Sequence, residues 1–247
     1  MDEKIRRAAR ILREARHAIA FTGAGISVES GVPAFRGAQG LWTKYDPKVL
    51  EIHYFLENGE ECWPSIKEIF YDHFGKAEPN AAHRALARME QADRLKCVVT
   101  QNIDNLHQRA GSRAVYEFHG NSSRLLCLRC GAVVAAGQVD WNDLPPRCPG
   151  DRSILKPDFV FFGEAIPAPA AEGAFENADR SDVCLVIGST GEVTPAAYVP
   201  IRAKAKGACI IEVNPEESRF TAEVTDIFLQ GKAGEVLRAI ERELFGD

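Results

Sequence analysis

No apolar run in this 247-residue chain approaches the ~20 residues that span a bilayer, which excludes a helical membrane protein. The first residues, Met1-Asp2-Glu3-Lys4, open an amphipathic pattern with acids in it, not an apolar export segment. Positive charge is not in excess. At a net charge of -5 a non-specific grip on nucleic acid is not expected, and a basic peptide is the better electrostatic match. Internal repeats and low-complexity segments are missing, so a solenoid is excluded. The seven cysteines are odd in number and spread through a mid-sized chain, which points to a reducing compartment, by default the cytoplasm. What remains has the composition of a globular protein, 45% apolar and 26% charged, long enough for one large domain or a domain with a smaller insertion.

The chain turns on residues 20–37. His17 to Phe21 reads as a buried strand, stopped at Thr22 by Gly23-Ala24-Gly25, where the backbone can turn sharply and approach a ligand. Ser27 before a helix start completes a set of amides aimed at an anion, such as a pyrophosphate. The ordinary dinucleotide fingerprint is absent: its third glycine is replaced by Val28, and no strand-end acid follows about 20 residues later.

Elsewhere, Ile5, Ala8, Leu12 and Ala15 predict a helix over 2–16. Two helical patterns rich in aromatics, 48–57 and 60–74, predict a small lobe with its own core, and some of its rings could also line a groove. Asn80 is placed to cap a helix over Ala81–Gln91. Strands follow at Leu95–Thr100, Val115–Phe118, Phe159–Phe162, Val183–Gly188, Cys209–Val213 and Ile227–Leu229, with helices near 168–178, 195–206 and at the C-terminal end. This alternation predicts an α/β fold, a parallel sheet with helices on both faces and polar groups at the strand tips. Residues 121–157 break the pattern with Cys127-x-x-Cys130, Cys148 and Asp151 and few large apolar side chains.

Gly23-Ala-Gly-Ile-Ser27, Pro33-Ala-Phe-Arg-Gly37, Thr100-Gln-Asn-Ile-Asp104, His119-Gly120, Cys127-x-x-Cys130, Phe162-Gly-Glu164, Gly188-Ser-Thr190, Val213-Asn214 and Gly231-Lys-Ala-Gly234 occur in one order along nearly the whole chain. In this order they resemble the sirtuin family of NAD-dependent protein deacylases, prokaryotic type. The resemblance implies a Rossmann-like NAD-binding domain (1–37, 76–120 and 158–247). It also implies a smaller domain made of a helical module (38–75) and a zinc-ribbon-like module (121–157). NAD and an acyl-lysine peptide would meet between the two.

The resemblance further implies residue roles. His119 would be the general base that helps the ribose 2′-hydroxyl attack after nicotinamide has left, and Asn102 would stand near the ribose and catalytic water with Gln101. Imidazole suits this role because it titrates near neutrality. Asp104 would hold the nicotinamide carboxamide beside Ile103, Phe35 would shield the ribose, and Arg36 would orient the cofactor. Gly23, Ala24, Gly25, Ser27, Gly188, Ser189, Thr190, Asn214, Lys232 and Ala233 would meet the phosphates and the adenosine half. Gly191 departs from the family's usual bulky aliphatic residue in that loop. Val160, Phe161, Phe162 and Gly163 fit an edge where a peptide adds as a strand, although each could equally be a buried strand residue.

Cys127, Cys130 and Cys148 are three thiolates of a structural Cys₄ zinc site, but Asp151 stands where the fourth is due. A carboxylate can bind zinc, so either a Cys₃Asp site or a module held by packing alone is open. No arginine lies between Arg36 and Arg84, so the helical module has no guanidinium for an acidic acyl group, and Lys67 could supply a charge there but not bidentate geometry. The expected activity is deacetylation of protein lysine with NAD as co-substrate, releasing nicotinamide, O-acetyl-ADP-ribose and free lysine. Removal of other neutral acyl groups or mono-ADP-ribosyl transfer are the alternatives. A non-catalytic NAD-sensing module is a further one, against which intact His119 and Asn102 argue.

Overall fold

The computed structural model describes residues 1–33, 44–73 and 77–246. Phe35, Arg36 and Phe74 lie outside the described residues. Helix α1 (Asp2–Glu14) buries Ile5, Ala8, Ala9 and Leu12 on one stripe and ends at Ala15, whose extended backbone leads into β1 (Ala18–Thr22). A 3-10 helix occupies Ala24–Ser30, tighter than the α-helix start expected there.

The helical insertion carries the two helical segments the pattern predicts, joined end to end as α2 (Ile52–Lys67) with a kink between them. The helix breaks its regular dihedrals at Asn58 (φ -128°, ψ 34°), whose side-chain amide donates to Tyr54 O at 3.2 Å. Pro47 to Leu50 before it is a 3-10 turn and residues 68–73 after it are π-helical. Helix α3 (Ala81–Gln91) starts at Asn80, whose side chain accepts from Ala82 N and His83 N as the cap expected of it.

Next come β2 (Cys97–Thr100), the short α4 (Leu106–Ala110), β3 (Val115–Glu117), β4 (Gly120–Leu126), β5 (Val133–Ala135) and β6 (Lys156–Phe159). The alternation then resumes with α5 (Ala168–Arg180), β7 (Val183–Ile187), α6 (Tyr198–Ala205), β8 (Cys209–Asn214), α7 (Arg219–Glu223), β9 (Ile227–Gln230) and α8 (Ala233–Phe245). Strand boundaries shift from the sequence reading by a residue or two. The larger difference is at 159–162: β6 ends at Phe159, and Phe162 forms an isolated bridge to Glu51.

Six parallel strands lie in the order β3-β2-β1-β7-β8-β9, so connections run outward in both directions from a switch point between β1 and β7. The alternation of side chains sorts the central strands between two cores. Ala18 and Ala20 of β1 join Val183, Leu185 and Ile187 of β7 under α1, α3 and α8. Ile19 and Phe21 join Cys184 and Val186 under α5, α6 and α7. The second sheet, β5-β4-β6, is antiparallel and runs from Gly120 to Phe159, slightly wider than the 121–157 span. It shares a third core with the helical insertion: Phe55, Trp63 and Phe70 pack with Leu125, Leu155 and Phe159, and Trp63 Nε1 donates to Leu155 O at 2.9 Å. The two insertions therefore share one core, to which Val32, Ile103 and Leu106 also contribute.

Candidate active site

The tips of β1, β2, β3 and β7 converge beside the switch point, where ligands of open α/β sheets bind. Gly23 N donates to Ile187 O at 3.0 Å and Gly25 N to Gly188 O at 2.9 Å. A β-carbon on Gly23 would stand 2.7 Å from Gly188 O. The glycines thus serve a backbone-to-backbone contact as well as the turn, which leaves Ala24 half-buried at its apex. Gln101 spans the same gap, its Nε2 donating to Ser189 Oγ at 3.0 Å. Ser189 is buried beside exposed Thr190. The Gly23 and Gly25 amides are committed to Ile187 and Gly188, and it is the side-chain-free turn with the small polar groups of Ser189 and Thr190 at a switch point that suits the phosphates of a dinucleotide.

Ser27 does not present its hydroxyl to the open side of that turn. It is fully buried, donates to Asp104 Oδ2 at 2.7 Å, and accepts from Asn102 Nδ2 at 3.1 Å. His83 Nε2 stands 3.4 Å from the same oxygen. His83 Nδ1 accepts from Asn80 N at 3.3 Å, so the neutral ring carries its proton on Nε2 and donates to Ser27. The chain His83–Ser27–Asp104 was not foreseen; its signal in the sequence is a histidine on the buried face of α3, among Ala82, Leu86 and Met89. Burial holds His83 down to about 4 and pushes the Asp104 carboxyl up. His107 lies edge-on to His83 at 4.9 Å between centroids, meets Thr22 Oγ1 at 2.9 Å, and is kept neutral by the same desolvation.

Asp104 Oδ1 accepts from Leu106 N at 3.0 Å, so the cap bond of α4 comes from Asp104 and not from Asn105. Ile103 is buried, and its carbonyl accepts from Ser122 N and Ser122 Oγ. Asn102 Nδ2 also donates to Gly23 O at 3.2 Å, which turns its Oδ1 to the opposite side of the amide.

His119 follows β3. Its Nδ1 meets Gln101 O at 3.1 Å, so the neutral imidazole holds its proton there and keeps the lone pair on Nε2. Burial lowers its pKa from 6.5, with the Gln101 carbonyl pulling the other way. A neutral base at neutral pH results.

On the far side of the switch point, Asn214 Nδ2 donates to Ser189 O at 3.1 Å and to Glu212 Oε1 at 2.9 Å. Glu212 is fully buried and also accepts from Ser218, Thr221 and Thr225, a set the sequence reading did not single out. Lys232 is exposed and Ala233 buried at the start of α8, where Gly234 N already donates to Glu29 Oε2 at 2.6 Å.

Of the edge residues, Val160 N donates to His119 O at 2.9 Å, and Phe162 is half exposed with Gly163 behind it in the left-handed region (φ 90°). Phe161 takes the core option: it is 1% exposed, edge-on to Phe55 at 5.3 Å.

Cys127, Cys130, Cys148 and Asp151 bring their ligand atoms within 4.8 Å of one another. Cys127 Sγ lies 3.6 Å from both Asp151 oxygens, and Cys130 Sγ lies 3.6 Å from Cys148 Sγ. Zinc at ~2.3 Å from sulfur and ~2.0–2.2 Å from oxygen needs tetrahedral edges of about 3.5–3.8 Å, which the Cys127–Asp151 and Cys130–Cys148 separations match. Ser153 N donates to Asp151 Oδ1 at 3.0 Å and holds that carboxyl at about 2. Zinc here would tie the ends of the small lobe together without touching the crevice chemistry.

The Sir2 family profile matches residues 23–195. An NAD-dependent protein deacylase of Thermococcus kodakarensis is 46% identical over 96% of this chain and 94% of its own. The NAD-dependent protein deacylase of Aeropyrum pernix is 44% identical over 98% of both. Among solved structures, a Sir2 homolog in complex with NAD superposes at a TM-score of 0.89, 37% identical over 96% of this chain and 93% of that one. A Sir2 mutant with a deacetylated p53 peptide and 3′-O-acetyl ADP-ribose superposes at 0.91, 34% identical over 97% and 98%. A parallel sheet opened at a β1/β7 switch point, with a neutral histidine at one strand tip and a four-ligand cluster in the inserted sheet, defines an α/β protein of the dinucleotide-binding kind with an insertion. The chain belongs to the Sir2 family.

Proposed function

We propose that this protein is an NAD-dependent protein-lysine deacylase that acts on acetyl-lysine and returns nicotinamide, O-acetyl-ADP-ribose and free lysine. The observation that carries this reading is His119, whose Nδ1 bond to Gln101 O leaves Nε2 as an unprotonated base beside the crevice. Membership of the Sir2 family over nearly the whole chain supports it.

In this reading NAD is a substrate: the acyl oxygen of the lysine amide bonds to C1′ of the nicotinamide ribose as the C1′–nicotinamide bond breaks and nicotinamide leaves. The turn at Gly23, Ala24 and Gly25 with Gly188, Ser189 and Thr190 receives the phosphates. Asn214, Lys232 and Ala233 receive the adenosine end. Asp104 and Ile103 receive the nicotinamide, with Ser27 and His83 holding the carboxyl of Asp104 in place. Asn102 and Gln101 flank the ribose, and His119 Nε2 takes a proton from its hydroxyl. Phe35 and Arg36, outside the described residues, keep the roles the family resemblance assigns them. Val160 to Gly163 offer the peptide an edge, Phe161 by its backbone and Phe162 by its ring. The division into a nucleotide-binding domain and a two-part small lobe follows the same reading. A cytoplasmic location remains the expectation drawn from the odd number of cysteines, testable by cell fractionation.

Mass spectrometry after incubation with NAD and an acetyl-lysine peptide tests the reaction. Deacetylated peptide with O-acetyl-ADP-ribose is expected. ADP-ribose attached to protein, with the acetyl group retained, would instead establish mono-ADP-ribosyl transfer.

A further inference from the structure

Lys156 is 4% exposed in the small lobe, and all three of its ammonium protons are used. Nζ donates to Glu164 Oε2 at 2.8 Å, to Pro157 O at 3.0 Å and to Phe159 O at 2.7 Å, and it lies 4.2 Å from the centre of the Phe161 ring. Glu164 Oε2 also accepts from Phe161 N at 2.6 Å. The ion pair therefore closes residues 156–164 into an arch and draws the polar groups of Pro157, Phe159 and Phe161 inward.

The intervening residues face the other way. Val160 N donates to His119 O at 2.9 Å. Phe162 N donates to Leu50 O at 2.8 Å, and Phe162 O accepts from Ile52 N at 3.0 Å. One side of the arch is thus fastened to the backbone of the proposed base and the other to the helical insertion. A well-packed apolar side chain could supply comparable stability at a buried site like this one. What an apolar residue could not do is hold two carbonyls and a carboxylate in one fixed arrangement.

We propose that the Lys156–Glu164 ion pair positions the peptide substrate: it sets the shape of the Val160–Gly163 edge and its distance from His119. Both are positioning residues, and the inference rests on the deacylase reading above. Without the pair the arch relaxes and the peptide loses its preformed edge, while the phosphate and adenosine ends of NAD, at the Gly23–Gly25 turn and Asn214, keep their contacts.

Steady-state kinetics of the full chain with NAD and an acetyl-lysine peptide test this for Lys156→Met, Glu164→Gln and the double variant. Each single variant is expected to raise the peptide KM about tenfold or more while the NAD KM moves by less than about twofold. The double variant is expected to be no worse than the worse single one, as for two groups acting as a unit. Lys156→Arg, which keeps the cation and its donors, should recover part of the loss. An unchanged peptide KM, or equal rises in both KM values alongside a fallen Tm, overturns the proposal. Should Lys156→Met not fold, the nearly isosteric Glu164→Gln carries the same comparison, with peptide affinity read by fluorescence anisotropy. A wild-type chain that releases no nicotinamide in response to peptide would refute the deacylase reading itself. Active wild type with insensitive variants refutes this inference alone.

Discussion

Gly25 and Gly188 touch backbone to backbone: Gly25 N donates to Gly188 O at 2.9 Å, and a β-carbon on Gly25 would lie 2.6 Å from Gly188 Cα. Gly188 stands at φ 63°, and its own β-carbon would meet Ile26 N at 2.4 Å. The two loops flanking the switch point can lie this close only because neither carries a side chain at the contact. Gly25→Ala must therefore spread them. A loss of about 1–3 kcal/mol in stability is expected, with weaker NAD binding. Thermal denaturation and calorimetric titration with NAD measure both, and a variant that kept wild-type values would show that the contact is dispensable.

His119→Ala should lower deacylation by ~10²–10⁴ with NAD affinity kept within a few-fold. Because burial depresses the pKa of His119 below 6.5, the wild-type kcat/KM should be flat near neutrality and fall only on the acid side, with an apparent pKa under 6.5. A pH–rate profile on acetyl peptide decides the point; an acid limb above 6.5 would assign the base elsewhere.

Stability should decline in the same acid range for a separate reason. His83 titrates near 4 in the folded chain and near 6.5 when unfolded, so between those values the unfolded chain binds the extra proton. Stability is full above pH 6.5 and falls by about 3 kcal/mol down to pH 4. Buried His107 adds in the same sense. Asp104, raised by burial, acts oppositely: its folded form takes a proton before the unfolded one, which offsets part of the loss at the acid end. Urea denaturation across pH 4–7 should show a shallower slope for His83→Gln than for wild type.

Purified protein should carry one zinc per chain in the Cys127, Cys130, Cys148 and Asp151 cluster. Asp151→Ala should lose the ion to a chelator more readily, and Asp151→Cys should retain it more firmly, since thiolate suits zinc better than carboxylate. Metal analysis after graded chelation reads this. Folded wild type with well under one equivalent of zinc would leave the module to packing alone.

Acetyl-lysine peptide should turn over faster than succinyl-lysine peptide. The helical insertion has no arginine, and Lys67, its candidate cation, is already paired with Asp72 at 2.7 Å. Parallel turnover measurements test it, and faster succinyl removal would require a cation from another element.

How much of the site could be read in advance depended on whether a residue's task is local. Gly23 to Gly25, the β2 and β3 tips and the cysteine spacing were legible because turns, strand ends and metal ligands leave signatures within a few residues. Ser27 is legible only as part of the turn; the burial of its hydroxyl against His83, Asn102 and Asp104 is not, because those partners come from α3 and the tip of β2. The two helical patterns on either side of Asn58 were legible as local signatures too, and Asn58 is where the dihedrals of α2 break. Phe161 and Phe162 are neighbours of one type in sequence, and only the arch sends one into the core and leaves the other half exposed.

The sequence by itself determined the alternation of strands and helices, the glycine turn, the strand-tip polar groups and the four zinc-type ligands, because each rests on periodicity or on spacing along the chain. The tertiary structure alone decided that Gly25 meets Gly188, that His83 supports Asp104 through Ser27, and that Lys156 is buried against Glu164. These pairings join segments that no local preference connects, and burial gives them their strength by removing the water that would otherwise compete for every one of those polar groups.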